Sequence, residues 1–228
     1  RLCREKRALP AIPDQDEAKY LSIRYSHPKW LVKRLMALLG REGTEAFLAN
    51  SNSQPPAAAQ VNVCRCSTEE VMKSLEAENI WAERHAWLPD CLLLQRTGDL
   101  ERLKAFRDGM IYIQDPAARL AVLAAELQPG SRVLDVCAAP GGKSFAAAIA
   151  MGDRGEIVSC DLHENKLKRI REGAVRLGLS SICTEAADGR VFREEWRDVF
   201  DLVVVDAPCS GLGILRKKPD IRWKKPDD

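Results

Sequence analysis

No apolar run in the 228-residue chain is long enough to cross a bilayer; the softest stretch, Phe145 to Met151, is short and alanine-rich. A membrane partner is therefore not expected. The opening residues, Arg1-Leu2-Cys3-Arg4-Glu5-Lys6-Arg7, lack the pattern of a signal peptide. Histidine is scarce: His27, His85 and His163 are dispersed and read as structural or surface residues. Cys64-x-Cys66 has neither a second pair nor a nearby histidine to complete four ligands, so no metal is expected. The eight cysteines show no framework spacing, which argues against a disulfide scaffold and for reduced thiols in the cytoplasm. Net charge is also nearly absent, at +2, so bulk charge selects no class of partner. What is present is ordinary: 46% hydrophobic and 30% charged residues exclude a disordered or fibrous chain, and the length suits one or two domains.

The distribution of charge says more than its sum. Residues 1–41 carry ten Lys/Arg against four Asp/Glu, and residues 209–228 carry six against three. Basic excess at both ends suggests polyanion contact, although solvated helix faces are the commoner cause of charge runs.

Leu31, Leu35 and Leu38 recur after Pro28 and predict one buried helix face. Ser51-Asn52-Ser53-Gln54-Pro55-Pro56 breaks the chain. Beyond it, Val61-Asn62-Val63 predicts a short strand, Ser67-x-x-Glu70 a capping box for a helix presenting Val71 and Leu75, and Cys91–Leu94 a further strand. The expected division is a helical linker over 1–45, a small α/β module over 46–112 and a larger α/β core over 113–228.

In the core, Asp115-Pro116 starts a helix with Leu120, Leu123 and Leu127 on one face, and Pro129-Gly130 stops it. Four β-rich apolar runs follow: Val133–Cys137, Ile157–Cys160, Ser181–Thr184 and Leu202–Val205. Their alternation with helical stretches predicts a doubly wound parallel sheet covered on both faces, with ligands beyond the carboxyl ends of its strands.

Those ends hold the chemistry. The first strand enters Asp135-Val136-Cys137-Ala138-Ala139-Pro140-Gly141-Gly142-Lys143-Ser144, where the paired glycines permit close backbone approach before a helix. One reading is a P-loop, since Gly142-Lys143-Ser144 supplies its end, but the first required glycine falls on Cys137. The other is a nucleoside cofactor without a triphosphate. Asp161 stands nineteen residues beyond Gly142, where a carboxylate would accept from ribose hydroxyls. Asp188 follows the third strand, placed to accept from an adenine amino group, and Asp206 ends the fourth. A single such acid is usually a turn or helix cap. Three at successive strand ends suit a neutral or cationic ligand and would repel a triphosphate. Asp206 opens into Ala207-Pro208-Cys209-Ser210-Gly211, which puts a cysteine in a loop at the ligand edge.

Asp135 through Lys143 and Asp206 through Gly211 resemble the two signatures of the Nol1/Nop2/Sun RNA (cytosine-5) methyltransferases, and the likeness extends through Arg216-Lys217-Lys218-Pro219-Asp220-Ile221-Arg222-Trp223. Upstream, Arg24-Tyr25-Ser26-His27-Pro28-Lys29-Trp30-Leu31 is similar to the bacterial Sun branch, which acts on 16S ribosomal RNA. The resemblance covers residue 24 to the end and implies a class I, Rossmann-like core binding S-adenosylmethionine, preceded by a small RNA-binding module. Residues 1–23 would be the trailing edge of a NusB-like domain. It assigns cofactor binding to Cys137, Ala138, Ala139, Pro140, Gly141, Gly142, Lys143, Asp161, Asp188 and Asp206. RNA contacts are expected from Arg216, Lys217, Lys218, Arg222 and Trp223, the last either stacking on a base or burying itself against the core. Lys143 would approach the RNA or orient its loop.

In this family the attacking cysteine lies in a Thr-Cys motif after the fifth strand, and the Pro-Cys cysteine assists product release. By resemblance Cys209 takes that second role, Asp206 bonds the base edge, and the nucleophile is expected downstream of Asp228. In DNA cytosine-5 enzymes the Pro-Cys cysteine is itself the nucleophile, which keeps that role open for Cys209. The family's core has seven strands and four are visible here, so the fragment is expected to be inactive, with an apolar edge at Leu202–Val205 that leaves it marginally stable or prone to aggregate. A monomer is the expected state. The alternatives are a transfer RNA enzyme of the same family, a P-loop nucleotide hydrolase and a non-catalytic RNA-binding module.

Overall fold

The computed structural model describes residues 12, 16–95 and 97–224. They fall into two compact units: one joins the described residues up to Pro55 with those from Pro208 onward, and the other runs from Pro56 to Ala207.

In the first unit, helix α1 (Glu17–Tyr25) is capped by Asp16, whose side chain accepts from the Lys19 N–H, and ends at Ser26 in the left-handed region. Helix α2 (Lys29–Ser51) follows Pro28. Its packed face is not the predicted one. Leu31 and Val32 are buried and Leu35 half-buried, but Leu38 is 74% exposed. The packed face of this half runs through Leu31, Val32 and Leu35 and stops short of Leu38, and Gly40, with φ of 67° and ψ of −177°, then interrupts the helix. The second half resumes with Thr44, Leu48 and Ser51 buried. His27 is fully buried; its ring nitrogens meet the Tyr25 carbonyl at 2.7 Å and the Ser51 hydroxyl at 2.9 Å, and burial lowers its pKa. It is a structural histidine, as expected.

The second unit holds two sheets. In the first, β1 (Ala57–Val61), α3 (Thr68–Ala77), β2 (Trp81–Arg84), β3 (Cys91–Gln95), α4 (Lys104–Arg107) and β4 (Ile111–Ile113) form an antiparallel sheet of order β2-β3-β1-β4. That order is the split βαβ, or ferredoxin-like, arrangement. The capping box at Ser67 and Glu70 is present with both of its hydrogen bonds, and Val71 and Leu75 are buried against the sheet. The strand expected over Val61-Asn62-Val63 lies earlier, because Asn62 leaves the ladder. Its amide donates to the carbonyls of Gly109 at 3.1 Å and Leu177 at 2.8 Å, and Val63 turns outward.

The second sheet follows helix α5 (Pro116–Leu123), capped by Asp115. Strands β5 (Arg132–Asp135), β6 (Glu156–Asp161), β7 (Ile182–Ala186) and β8 (Leu202–Val204) are all parallel, in the order β7-β6-β5-β8. Helices α6 (Gly142–Ala150) and α7 (Glu164–Leu177) follow β5 and β6 and bury Phe145, Ile149, Leu167 and Ile170 over Val133 and Ile157 on one face. The other face departs from the doubly wound expectation. Leu134, Val158 and Cys160 lie beneath Trp196 and Phe200 of an irregular connection rather than beneath a helix. Val203 and Val205 at the β8 edge are 51% and 65% exposed.

The two sheets are joined at the end of α7. Arg65 Nη1 donates to the Arg176 carbonyl at 3.1 Å, while the half-buried Arg176 guanidinium donates to the Ile111 carbonyl at 2.9 Å and lies 3.7 Å above the Phe106 ring. Burial lowers the Arg176 pKa to about 10. Carbonyls that a helix end would otherwise leave unpaired are thus capped by the neighbouring module.

Candidate cofactor site and base edge

In an open parallel sheet the crevice lies where strand order reverses, here between β5 and β8. Their register pairs Asp135 with Val204 and so sets the loop after β5 beside Asp206. A cavity at this point is lined by Asp135, Cys137, Ala138, Ala139, Pro140, Gly142, Lys143 and Asp206, together with Gln114. Most of the residues that sequence reasoning assigned to the cofactor therefore meet in one place.

Each has a local cause. Gly141 sits at φ 109°, a conformation that permits the tight turn into α6, and a Cβ there would stand 2.6 Å from the Phe145 ring. Lys143, in the first turn of α6, forms an ion pair with Asp206. Asp206 is otherwise open, with a side chain 60% exposed. Asp161, buried at the end of β6, accepts from the His163 N–H at 3.1 Å and pairs with Lys166 at 3.3 Å. Asp188 accepts from Arg190 Nε at 2.9 Å and Nη2 at 2.7 Å, and these bonds lower its carboxyl pKa to about 2. Asp161 and Asp188 lie further along the same carboxyl edge and do not line the cavity.

The electrostatics are those of an acidic pocket. Partial burial, and then the charges of Asp161, Asp135 and Asp206, push the Cys137 thiol up. Cys137 is thus held protonated, as a wall rather than a nucleophile. Asp135 is 1% exposed, and burial raises its pKa to about 6 against the opposing bond from Ser144. Sequence reasoning quoted Asp135 but gave it no role. The signal was there, since it ends a strand as Asp161 does.

The same network disposes of the P-loop. Magnesium would need the Ser144 hydroxyl, but Ser144 donates to Asp135 Oδ2 at 2.8 Å and accepts from Ser159 at 2.8 Å. The remaining Asp135 oxygen, Oδ1, is buried and accepts no hydrogen bond from the protein. A buried acceptor among carboxylates would repel phosphates and suits a ligand that is cationic or rich in N–H donors. S-Adenosylmethionine fits this donor-poor, acidic pocket.

The C-terminal segment lies in the first unit, with Cys209 exposed there. Arg222 does not present itself to RNA. It is 4% exposed and donates to the carbonyls of Ser26 and Pro219 and to Asn52 Oδ1. Arg216 likewise reaches the carbonyls of Ser53 and Gln54. Lys217 and Lys218 are exposed, and Trp223, 59% exposed, is not buried against a core. Among the described residues no cluster of ligating side chains could hold a metal ion, and no helix is long and apolar enough to cross a membrane.

The family model of 16S rRNA methyltransferase RsmB/F matches residues 122–228, and that of the ferredoxin-like domain of RsmF/B-like methyltransferases matches residues 27–101. The chain is 38% identical over 216 residues to the "Probable ribosomal RNA small subunit methyltransferase B" of Bacillus subtilis, covering 94% of the chain and 48% of that protein. It is 37% identical to the ribosomal RNA small subunit methyltransferase B of Vibrio cholerae, over 90% of the chain and 47% of that protein. The chain thus spans about half the length of the curated relatives it matches. Among solved structures, PH0851 superposes with a TM-score of 0.88 at 30% identity, covering 100% of the chain and 51% of its own. A methyltransferase homolog protein from Pyrococcus horikoshii gives 0.79 at 26%, covering 94% and 68%. The chain belongs to the RsmB/F family of S-adenosylmethionine-dependent methyltransferases.

Proposed function

We infer that the protein methylates carbon 5 of a cytosine in 16S ribosomal RNA through a covalent cysteine–cytosine adduct. The observation that carries this reading is the pairing of β5 with β8, which sets the loop from Cys137 to Lys143 against Asp206 in one acidic cavity. When bound, S-adenosylmethionine supplies an electrophilic methyl group. Asp161 would accept from the ribose hydroxyls and Asp188 from the adenine amino group, while the Gly141–Gly142 turn admits close approach of the backbone.

Carbon 5 of cytosine is a weak nucleophile. A thiolate adds to carbon 6, which makes carbon 5 enamine-like and able to attack the methyl group. A base then takes the carbon 5 proton, and the thiolate leaves as the double bond re-forms. Asp206, exposed at the pocket rim, would bond the ring nitrogen or exocyclic amine and stabilise charge developing on the ring. To do so it exchanges its ion pair with Lys143 for the base edge, which leaves Lys143 close to the RNA. By resemblance Cys209 assists release of the product. Lys217, Lys218 and Trp223 are the exposed candidates for RNA contact, by phosphate pairing and base stacking. Arg216 and Arg222 would act by shaping that segment.

Mapping 5-methylcytosine in 16S rRNA from cells with and without the gene tests this reading. The expected result is loss of one modified cytosine on deletion and its return on complementation. An unchanged 16S map would contradict it.

A further inference from the structure

The C-terminal segment of the first unit holds a buried cation on neutral acceptors. Arg222 is 4% exposed; its Nε donates to the Pro219 carbonyl at 2.9 Å, and its Nη1 to the Ser26 carbonyl at 3.1 Å and Asn52 Oδ1 at 2.8 Å. Taking a charge out of water is costly, and neutral acceptors return only part of the cost. Such a residue is a poor source of stability. A guanidinium presents its donors in a rigid planar fork, however, and so fixes the geometry of the groups that accept from it.

The acceptors are prearranged. Ser26 and Asn52 are the C-caps of α1 and α2, so two helix C-termini, each with partial negative charge, lie at the guanidinium. Asn52 Nδ2 donates to the Tyr25 carbonyl at 2.8 Å, which turns Oδ1 toward Arg222. Buried His27 stands beside them, its Nδ1 3.4 Å from Arg222 Nη1. The ends of the helical pair thus form a socket. A second arginine, Arg216, reaches the carbonyls of Ser53 at 3.4 Å and Gln54 at 3.3 Å just beyond it.

The socket reaches Cys209 through packing. Arg222 belongs to the turn Pro219–Trp223, and its Nε bond to the Pro219 carbonyl closes that turn. Its neighbour Ile221 lies over Gly211: φ at Gly211 is 72°, and a Cβ there would stand 3.1 Å from Ile221 Cδ1 and 3.4 Å from Cγ2. Backbone bonds tie the stretch between. The Ile214 N–H donates to the Gly211 carbonyl at 3.0 Å, and the Lys217 and Lys218 N–H groups donate to the Ile214 carbonyl at 2.9 Å each. Leu215 in this stretch is 2% exposed. Gly211 stands two residues beyond Cys209, which is exposed. We propose that Arg222 is a positioning residue: seated on Ser26 and Asn52, it fixes through Ile221 and Gly211 the place of Cys209 for product release. This rests on the release role read for Cys209 and gives the helical pair a part in the reaction.

In the release step the carbon 5 proton passes to a base, and the C–H electron pair becomes the double bond between carbons 5 and 6. The bond from carbon 6 to sulfur breaks, and its electrons leave on the thiolate. Thiolate addition and methyl transfer come earlier and, on this reading, do not call on Cys209. A displaced Cys209 therefore slows release more than transfer, and the covalent protein–RNA adduct accumulates. A merely structural residue would depress both together.

The experiment uses the full-length protein with 16S rRNA and S-adenosylmethionine. It follows methyl transfer in the first turnover and, on denaturing gels, the fraction of protein held in a covalent adduct with RNA. Cys209→Ala should accumulate adduct. Arg222→Met should slow release about 10–100-fold, the scale for displacing a reacting group by about 1 Å, with first-turnover transfer changed much less. Asn52→Ala removes one acceptor, leaves the arginine in place and should act in the same direction, which keeps the test decisive if Arg222→Met does not fold. The double variant Asn52→Ala/Cys209→Ala should release no more slowly than Cys209→Ala alone, because the socket acts only through that thiol. Wild-type release in folded Arg222→Met or Asn52→Ala, equal loss of transfer and release, or additive effects in the double variant would overturn the positioning role while the Cys209 reading stands. Normal release in Cys209→Ala overturns that reading and the proposal with it.

Discussion

Replacing Gly141 by Val is expected to reduce S-adenosylmethionine affinity at least ~100-fold, because two costs fall on one residue. The first is conformational: φ is 109°, where a side chain costs about 1–2 kcal/mol or more. The second is steric, since a Cβ at Gly141 would lie 2.6 Å from Phe145 Cζ. The ring is buried and its tip is already crowded by Gly173, whose own Cβ position is 2.5 Å from the same atom. Part of the relief is therefore expected to come from the turn itself, displacing the loop from Cys137 to Pro140 that walls the cavity. Gly130→Ala is the control: φ there is 97°, but nothing lies within 4 Å of the added Cβ, so it carries backbone strain alone. Calorimetry on both variants separates the effects. Near-wild-type affinity in Gly141→Val would mean that the turn does not form the cofactor wall.

The largest loss of stability is expected from Gly109→Ala. Gly109 has φ 70°, and its Cβ would stand 2.0 Å from the Arg176 carbonyl oxygen, a backbone atom at the end of α7. That carbonyl is fixed by Arg65, whose Nη1 lies only 2.9 Å from the same Cβ position. Asn62 ties the next carbonyl, that of Leu177, to the Gly109 carbonyl. The clash therefore pushes the two sheets of the unit apart at their shared joint. Backbone strain and overpacking together should cost about 3 kcal/mol or more, which for a chain of this size lowers Tm by about 6–12 °C. A denaturant melt with an unchanged midpoint would contradict this account of the joint.

What the sequence disclosed followed from strong local chemistry. The capping box at Ser67 and Glu70, the cap at Asp115 and the apolar strands β5 and β6 all carry a pattern that tertiary context reinforces. The first sheet was harder to read. Strand β1 opens Ala57-Ala58-Ala59-Gln60 before its single β-branched residue, Val61, and is a strand because β3 and β4 pair with it on both sides. Strand β2, Trp81–Arg84, is an edge with little buried surface, and so lacks the alternation that reveals a strand. Within the site, the turn glycines and the acids ending strands were legible because chain order places them there. Gln114 was not: it comes from the first sheet, and only folding brings it to the cavity. Arg222 shows the opposite limit. Among Trp223, Lys224 and Lys225 it reads as one more phosphate contact, yet two acceptors distant in sequence, the Ser26 carbonyl and Asn52 Oδ1, together with the nearby Pro219 carbonyl, draw it inward.

The central claim is that the carboxyl edge of the parallel sheet takes S-adenosylmethionine and not a nucleoside triphosphate. Titration calorimetry with S-adenosylmethionine and, separately, Mg-ATP, on wild type and Asp161→Ala, tests it most directly. The account predicts saturable binding of S-adenosylmethionine, weakened about 10–100-fold when the Asp161 carboxylate is removed, and no binding of Mg-ATP. Saturable binding of Mg-ATP, or S-adenosylmethionine affinity indifferent to Asp161, would contradict it.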